Sequence, residues 1–311
     1  MRPGLDCRRT TSARAGRLAL GLVLAAPLSA CELGVLAPRG PVGLGERTIL
    51  FDAVALMLTI VVPTILATFA FAWWFRASNP KARRLPDWEF SGALELMIWA
   101  APLLTIMFLG GMTWIASYDL DPYKPLPSKT PPLEVQVVSL DWKWLFIYPA
   151  QQVASVNELV VPAGAPVHFS LTSSSVMNAF FVPQLGSMIY TMNGMATQLN
   201  LQADQPGVFR GLSSHFSGDG FPGMHFSVRA ASPADFAAWV AATRAGAGPV
   251  LDGPAYAALA RQSSNVAPYT YRAVAPGLFQ SVLTQQLAPG PGPTAGDIHV
   301  SPKAVAAKAG G

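Results

Sequence analysis

The sequence predicts an α+β membrane protein: a two-helix transmembrane hairpin, then a β-domain outside the membrane, then C-terminal helices. Three observations predict it. The 311 residues are 51% hydrophobic and only 12% charged, apolar for a soluble chain and right for part membrane, part globular domain. Two apolar stretches, 49–75 and 90–116, can each cross a hydrocarbon core of about 30 Å at about 1.5 Å per residue. Beyond them come many short β-type runs at regular spacing, separated by turn signals.

Residues 1–30 read as a secretory signal. The stretch 1–17 carries Arg2, Arg8, Arg9, Arg14 and Arg17, and 18–28, LALGLVLAAPL, is apolar but too short to span comfortably. It ends in Leu28-Ser29-Ala30-Cys31, which resembles the lipobox of bacterial lipoproteins. That resemblance implies that Cys31 is diacylated and becomes the mature N-terminus. Each buried CH₂ of its acyl chains would contribute about 0.8 kcal/mol to membrane anchoring. The other reading is an ordinary signal followed by a spare thiol. With lipidation, 31–48 is a lipid-anchored segment outside the membrane, and Cys7 is discarded with the signal. Cys7 and Cys31 are the two cysteines, so the β-domain has neither a disulfide framework nor a Cys-rich zinc site.

Residues 49–117 form the hairpin. The loop RASNPKARRLPD holds Arg76, Lys81, Arg83 and Arg84 against one acid, which places it in the cytoplasm and both hairpin ends outside. Trp73, Trp74 and Trp88 flank that loop as interface anchors, and Trp114 marks the outer end of the second helix. Pro63 and Pro102 are breakers that a membrane helix tolerates through neighbouring contacts. The basic clusters are topology signals; the formal charge of +4 comes with no nucleic-acid motif, so nucleic acid is excluded as a partner. Glu95 is the odd residue, on the cytoplasmic side of the second span. A carboxylate there costs about 3 kcal/mol unless it faces protein or water. It reads either as the entrance of a proton path or as a snorkelling or helix-pairing group.

The proline-rich linker 118–132 leads into 133–230, where the runs LEVQVVSL, WKWLFIYP, ELVVP, VHFSLTS, AFFVP, SMIYTM, TQLNLQA, GVFRGLSS and MHFSV suggest a β-sandwich or Greek-key barrel. An arm of helical and aromatic-rich character covers 231–287. Its first helix, 232–244, has Ser232 as N-cap, Pro233 at N1 and Asp235 at N3, with Phe236, Trp239 and Val240 at helical spacing. A second helix is expected over 254–263. The tail 288–311, rich in Pro, Gly and Ala, reads as disordered.

Three segments carry a family resemblance: Asp141-Trp142-Lys143-Trp144, SVMNAFFVPQLGSMIYTMNGM (175–195) and PGVFRGLSSHFSGDGFPGMHF (206–226). With the two helices, they are similar to subunit II of the haem–copper terminal oxidases. The likeness runs from about 45 to 280, is strongest over 133–230, and implies a cupredoxin-like Greek-key barrel. The cytochrome c oxidases of this superfamily hold two copper ions there. Their pattern is a His in the second segment and C-x3-C-x3-H-x2-M in the third, because soft thiolates and imidazoles bridge and tune copper. Here the first His position is Asn178, the Cys positions are Ser213 and Ser217, and the second His position is Phe221. Only Met224 remains. Four losses together imply that no metal and no cofactor is bound by this chain. His168 and His225 read as strand residues, His215 has no strong second ligand nearby, and His299 lies in the tail.

The serine-for-cysteine pattern resembles the quinol oxidase branch of bacterial terminal oxidases. That resemblance implies a non-redox structural subunit of a proton-translocating complex that oxidises quinol and reduces oxygen to water. The partners implied are subunit I, which would hold the haems, one copper and the quinol, then subunits III and IV and membrane lipids. The location implied is the bacterial inner membrane, with the β-domain in the periplasm. Glu95 lies in E-L-M-I-W-A-A-P, similar to the family segment whose glutamate opens a proton channel of subunit I. Trp142 and Trp144 would keep packing roles, since electron transfer to copper has no destination. The alternatives are a membrane-anchored lipoprotein binding module or oxidase assembly factor, and a cytochrome c oxidase subunit II, against which the ligand losses argue.

Overall fold

The computed structural model describes residues 34–83 and 85–292; the signal sequence, Cys31, Arg84 and the tail from 293, His299 included, lie outside the described residues. Two long helices, α1 (Pro41–Trp74) and α2 (Gly92–Asp119), form the hairpin. Ten strands follow: β1 (Leu133–Leu140), β2 (Lys143–Tyr148), β3 (Val153–Val156), β4 (Glu158–Pro162), β5 (Pro166–Ser173), β6 (Asn178–Val182), β7 (Gly186–Thr191), β8 (Thr197–Gln202), β9 (Gly207–Ser213) and β10 (His225–Ala231). The arm holds α3 (Pro233–Ala245), β11 (Val250–Leu251), α4 (Gly253–Leu259), β12 (Tyr269–Tyr271), β13 (Ala273–Val274) and α5 (Leu278–Leu283).

The strands build a sandwich of a six-stranded sheet, β12-β3-β2-β1-β5-β8, and a five-stranded sheet, β4-β10-β9-β6-β7. Trp144, Phe146, Tyr148, Phe169, Phe180 and Phe226 fill the space between them, with Phe180 and Phe226 stacked at 5.1 Å. The opposite face of the six-stranded sheet is covered too. Leu145 and Ile147 of β2 pack on Leu251, Tyr256, Leu259, Tyr271, Leu278 and Phe279 of the arm. Burial on both faces explains why β2 reads as a continuous apolar run.

The hairpin begins earlier than its apolar stretch. Residues 41–48, expected as an anchored segment, are the first two turns of α1. Pro41 suits the opening turn, but Gly43 and Gly45 are poor helix formers, and contacts with the β-domain hold the turns. Gly43 N donates to Leu185 O at 3.0 Å, and Glu46 Oε1 accepts from Ser187 N and Oγ at 2.7 and 2.9 Å. The approach is close enough to require glycine: a Cβ on Gly40 would lie 2.0 Å from Gln202 O. Beyond α2, Pro122 O accepts from Asn200 N and Nδ2, both at 3.0 Å. Both outer helix ends are therefore tied to the β7–β8 edge of the domain. Pro63 and Pro102 sit inside continuous helices.

In the arm, α3 starts as its local signals require: Ser232 Oγ accepts from Asp235 N at 3.1 Å. The second helix is shorter than expected. α4 stops at Leu259, because the following Arg261 O and Ser263 Oγ are taken by the Lys143 ammonium at 2.6 and 2.7 Å. β12 joins the six-stranded sheet against β3, with Tyr269 opposite Val156. The expectation of a disordered tail from 288 is corrected for its first residues. Gly290 N donates to Ser174 O at 2.9 Å and Gly292 N to Asp141 Oδ2 at 3.0 Å.

Candidate functional site

Asn178 opens β6, Ser213 closes β9, and Ser217, Phe221 and Met224 lie on the loop between β9 and β10. The fold brings four of these five side chains together. Asn178, Ser213, Ser217 and Met224 are buried. The Ser213 hydroxyl donates to Asn178 Oδ1 at 3.2 Å, with His215 O an equally distant acceptor. Ser213 N donates to Met224 O at 3.2 Å, and the Ser217 hydroxyl points at Met224 Sδ, 3.8 Å away. Asn178 Nδ2 donates to Val176 O at 3.3 Å. Phe221 stays out of the set, half-buried, and packs edge-on against exposed Phe216 at 5.5 Å.

An amide, two hydroxyls and a thioether do not fit a pair of copper ions. Copper of this kind needs bridging thiolates and imidazole nitrogens; here the Ser213 hydroxyl faces Asn178 Oδ1 and His215 O, the Ser217 hydroxyl faces Met224 Sδ, and the phenyl ring offers no lone pair. Among the described residues, no three His, Cys, Asp or Glu side chains gather as a metal-binding group. His215 lies edge-on to Tyr190 at 5.8 Å, His168 Nδ1 faces Asn200 Oδ1 at 2.9 Å, and His225 is an exposed strand residue.

The loop is held by protein groups instead. Trp142 takes a left-handed φ of 65°, uncommon for a bulky residue. Its indole Nε1 donates to Ser217 O at 2.9 Å, and its ring covers Gly220 so closely that a Cβ there would lie 2.2 Å from it. Asn265 of the arm leans on Gly223, where a Cβ would lie 2.5 Å from Asn265 Oδ1. This clamp could not be read from sequence, because it joins a β-turn, a distant loop and the arm.

The rest of the motif anchors other parts. Asp141 is buried and accepts from Ser175 Oγ through Oδ1 and from Gly292 N through Oδ2. Lys143 is buried beneath the arm, and its third acceptor is Asp141 O at 3.4 Å. Burial pushes its ammonium down to about 8, with the Asp141 charge opposing that shift. Trp144 sits in the sandwich core, its indole N–H without a partner among the described residues. Four consecutive residues thus hold the tail, the loop, the arm and the core.

Glu95 lies at the other end of the molecule, in the first turn of α2 and exposed on the hairpin surface. Neither of the ion pairs seen among the described residues, Lys124–Asp119 and Arg229–Glu158, involves it. The structure does not bring it near the Asn178 set; the two candidate sites are separate.

Comparison with known proteins covers both the β-domain and the arm. The family described as cytochrome c oxidase subunit II, periplasmic domain, matches residues 104–231, and the COX aromatic rich motif matches 246–290. The cytochrome bo(3) ubiquinol oxidase subunit 2 of Pseudomonas aeruginosa is 47% identical over 266 residues, which span 86% of this chain and 80% of that one. The ubiquinol oxidase subunit 2 of Acetobacter aceti is 47% identical over 275 residues, 88% of this chain and 89% of its own. The Pseudomonas putida cytochrome bo(3) ubiquinol oxidase subunit 2 is 45% identical over 264 residues, with 85% and 83% covered.

Proposed function

This chain belongs to the ubiquinol oxidase subunit II family, and from that premise we propose that it is the non-redox structural subunit of a proton-translocating oxidase. Family membership makes it a subunit of an oxidoreductase complex, with the haem-copper subunit I as its partner. In that complex two quinols and one O₂ yield two quinones and two waters. The chain contributes no redox centre; the haems, the copper and the quinol belong to subunit I. Subunits III and IV and membrane lipids complete its surroundings. The complex lies in the inner membrane, with the β-domain in the periplasm and Cys31 lipidated.

The observation that carries this reading is the closed Asn178–Ser213–Ser217–Met224 set. Its groups are buried and hydrogen-bonded to one another or to the backbone, and none is a thiolate or imidazole of the kind that holds a copper pair. What remains for the domain is shape: a sandwich tied to the outer helix ends and capped by its own arm. Glu95, a carboxylate on a membrane helix, contributes the entrance of a proton channel of subunit I. A membrane carboxylate is costly unless it meets protein or water, and within this chain it meets no cationic partner among the described residues.

The test is oxygen uptake by the purified complex with quinol or with reduced cytochrome c as donor. Uptake with quinol and none with cytochrome c is expected. Comparable rates with cytochrome c would overturn the reading.

A further inference from the structure

The outer halves of α1 and α2 do not close on each other. Between them lies a groove of about 830 Å³, walled by Leu44, Ile49, Phe108, Met112, Ile115 and Leu120. Its polar rim is confined to Thr48 and Asp119. It extends from Leu120, at the junction with the β-domain, to Met107. At about 1.5 Å per residue that is about 20 Å along α2, about two-thirds of a core about 30 Å thick. Gly111 forms part of the wall, and a Cβ added there would meet nothing within 4 Å. Gly45 lets the helices approach closely at the top, where a Cβ would lie 2.9 Å from the Leu120 side chain.

The chain arrives at this groove from its N-terminal side. Arg39 N donates to Gln184 O at 2.6 Å, and Ala37 N closes a turn onto Gly34 O at 3.0 Å. The Arg47 guanidinium reaches Leu36 O at 3.5 Å. The segment before α1 is therefore folded back beside its first turns, at the outer end of the hairpin that holds the groove. Three residue steps separate Gly34 from Cys31, a reach of at most about 11 Å.

We propose that the acyl chains carried by Cys31 occupy this groove, so that the lipid is a packed part of the hairpin as well as a tether. The proposal rests on the reading of Cys31 as the lipidated N-terminus. The occupant follows from chain order and chemistry: the described chain begins at Gly34, three residues after Cys31, and leads into the outer end of this hairpin, and the groove walls are of the chemistry that takes methylene chains. The acyl chains fill the space that the side chains of the two helices leave open, and they set the splay of the outer hairpin beneath the β-domain.

The experiment uses the intact oxidase in membranes from cells fed a diazirine-bearing fatty acid, irradiated and digested for mass spectrometry. The expected product joins the lipopeptide that begins at Cys31 to peptides containing 44–49 or 107–116. Gly111→Leu should lower that product at least about fivefold, because the leucine takes the volume the chain would fill. Lipopeptide cross-linked only to subunit I or to free phospholipid would overturn the groove assignment while leaving the lipid anchor standing. A Cys31 peptide without acyl mass would overturn both, and its mass tells the two failures apart.

Discussion

The β9–β10 loop and Glu95 are polar features in opposite settings. Ser213 and Ser217 are buried, with their hydroxyls turned to groups of the same chain, and Trp142 is clamped over the loop. Glu95 stands at the far end of the hairpin, exposed and outside every ion pair seen among the described residues. A polar group whose hydrogen bonds are completed internally is a packing device. An ionisable group left open on a membrane helix is costly unless it meets protein or water outside the chain. On the proposed reading the difference separates what this subunit does for itself from what it offers a partner, and each side can be broken by substitution.

The largest effect is expected at the open group. Glu95→Ala should lower quinol-driven oxygen uptake about a hundredfold, the lower end of the range for loss of a positioned proton-transfer group. The complex should still assemble, with its haem content unchanged. Full turnover in an assembled E95A complex would make Glu95 a snorkelling residue and erase the contrast.

Gly220 probes the closed side. A Cβ at this position would meet the Trp142 ring at 2.2 Å, against side chain and turn that are themselves held. Gly220→Ala should cost about 1–3 kcal/mol, as overpacking does, read as a lower melting temperature of the β-domain or faster proteolysis in the loop. Trp142→Ala in the same chain should remove the clash, so the double variant should be more stable than the sum of the single losses. Simple additivity would mean that the indole does not clamp the loop.

These two sites also show what was legible in the sequence and what was not. Short local signals were readable: Ser232, Pro233 and Asp235 mark the start of α3, and most strand runs fall within a residue or two of the observed ones. Elements made by distant contacts were not. β3 and β12 are four- and three-residue strands that exist by pairing: β3 lies between β2 and β12, and β12 pairs with β3. The first turns of α1 are helical because Leu185 and Ser187 hold them. The former ligand positions were named by motif, and four do converge. That Phe221 turns to Phe216 depends on the folded loop, which no spacing encodes.

Lys143 gives a smaller, pH-dependent effect. Its folded value of about 8 lies below the unfolded value near 10.4. A lowered lysine pKa means the unfolded chain holds the proton more tightly. Stability of the arm should therefore rise with pH between about 8 and about 10.4, by less than the roughly 1.4 kcal/mol per unit of a fully desolvated group, because solvent screens part of the shift. Below about 8 both states are protonated and the slope vanishes. Protease release of the arm, followed across this window, should slow as pH rises, and Lys143→Met should flatten the profile. An unchanged slope in K143M would assign the effect to another group.

The smallest effect is the most diagnostic of the closed side. Ser217 occupies a position where a thiolate would be indispensable in a copper-binding relative, yet here its hydroxyl faces only Met224 Sδ at 3.8 Å. Its backbone carbonyl, which Trp142 holds, is untouched by a side-chain change. Ser217→Ala removes one weak hydrogen bond and leaves no strong acceptor unsatisfied, so the cost should stay below about 1 kcal/mol. Quinol turnover should match the parent chain. A drop as large as that of Glu95→Ala would mean that the loop is still chemically at work, and the division between closed loop and open carboxylate would fail at its quieter end.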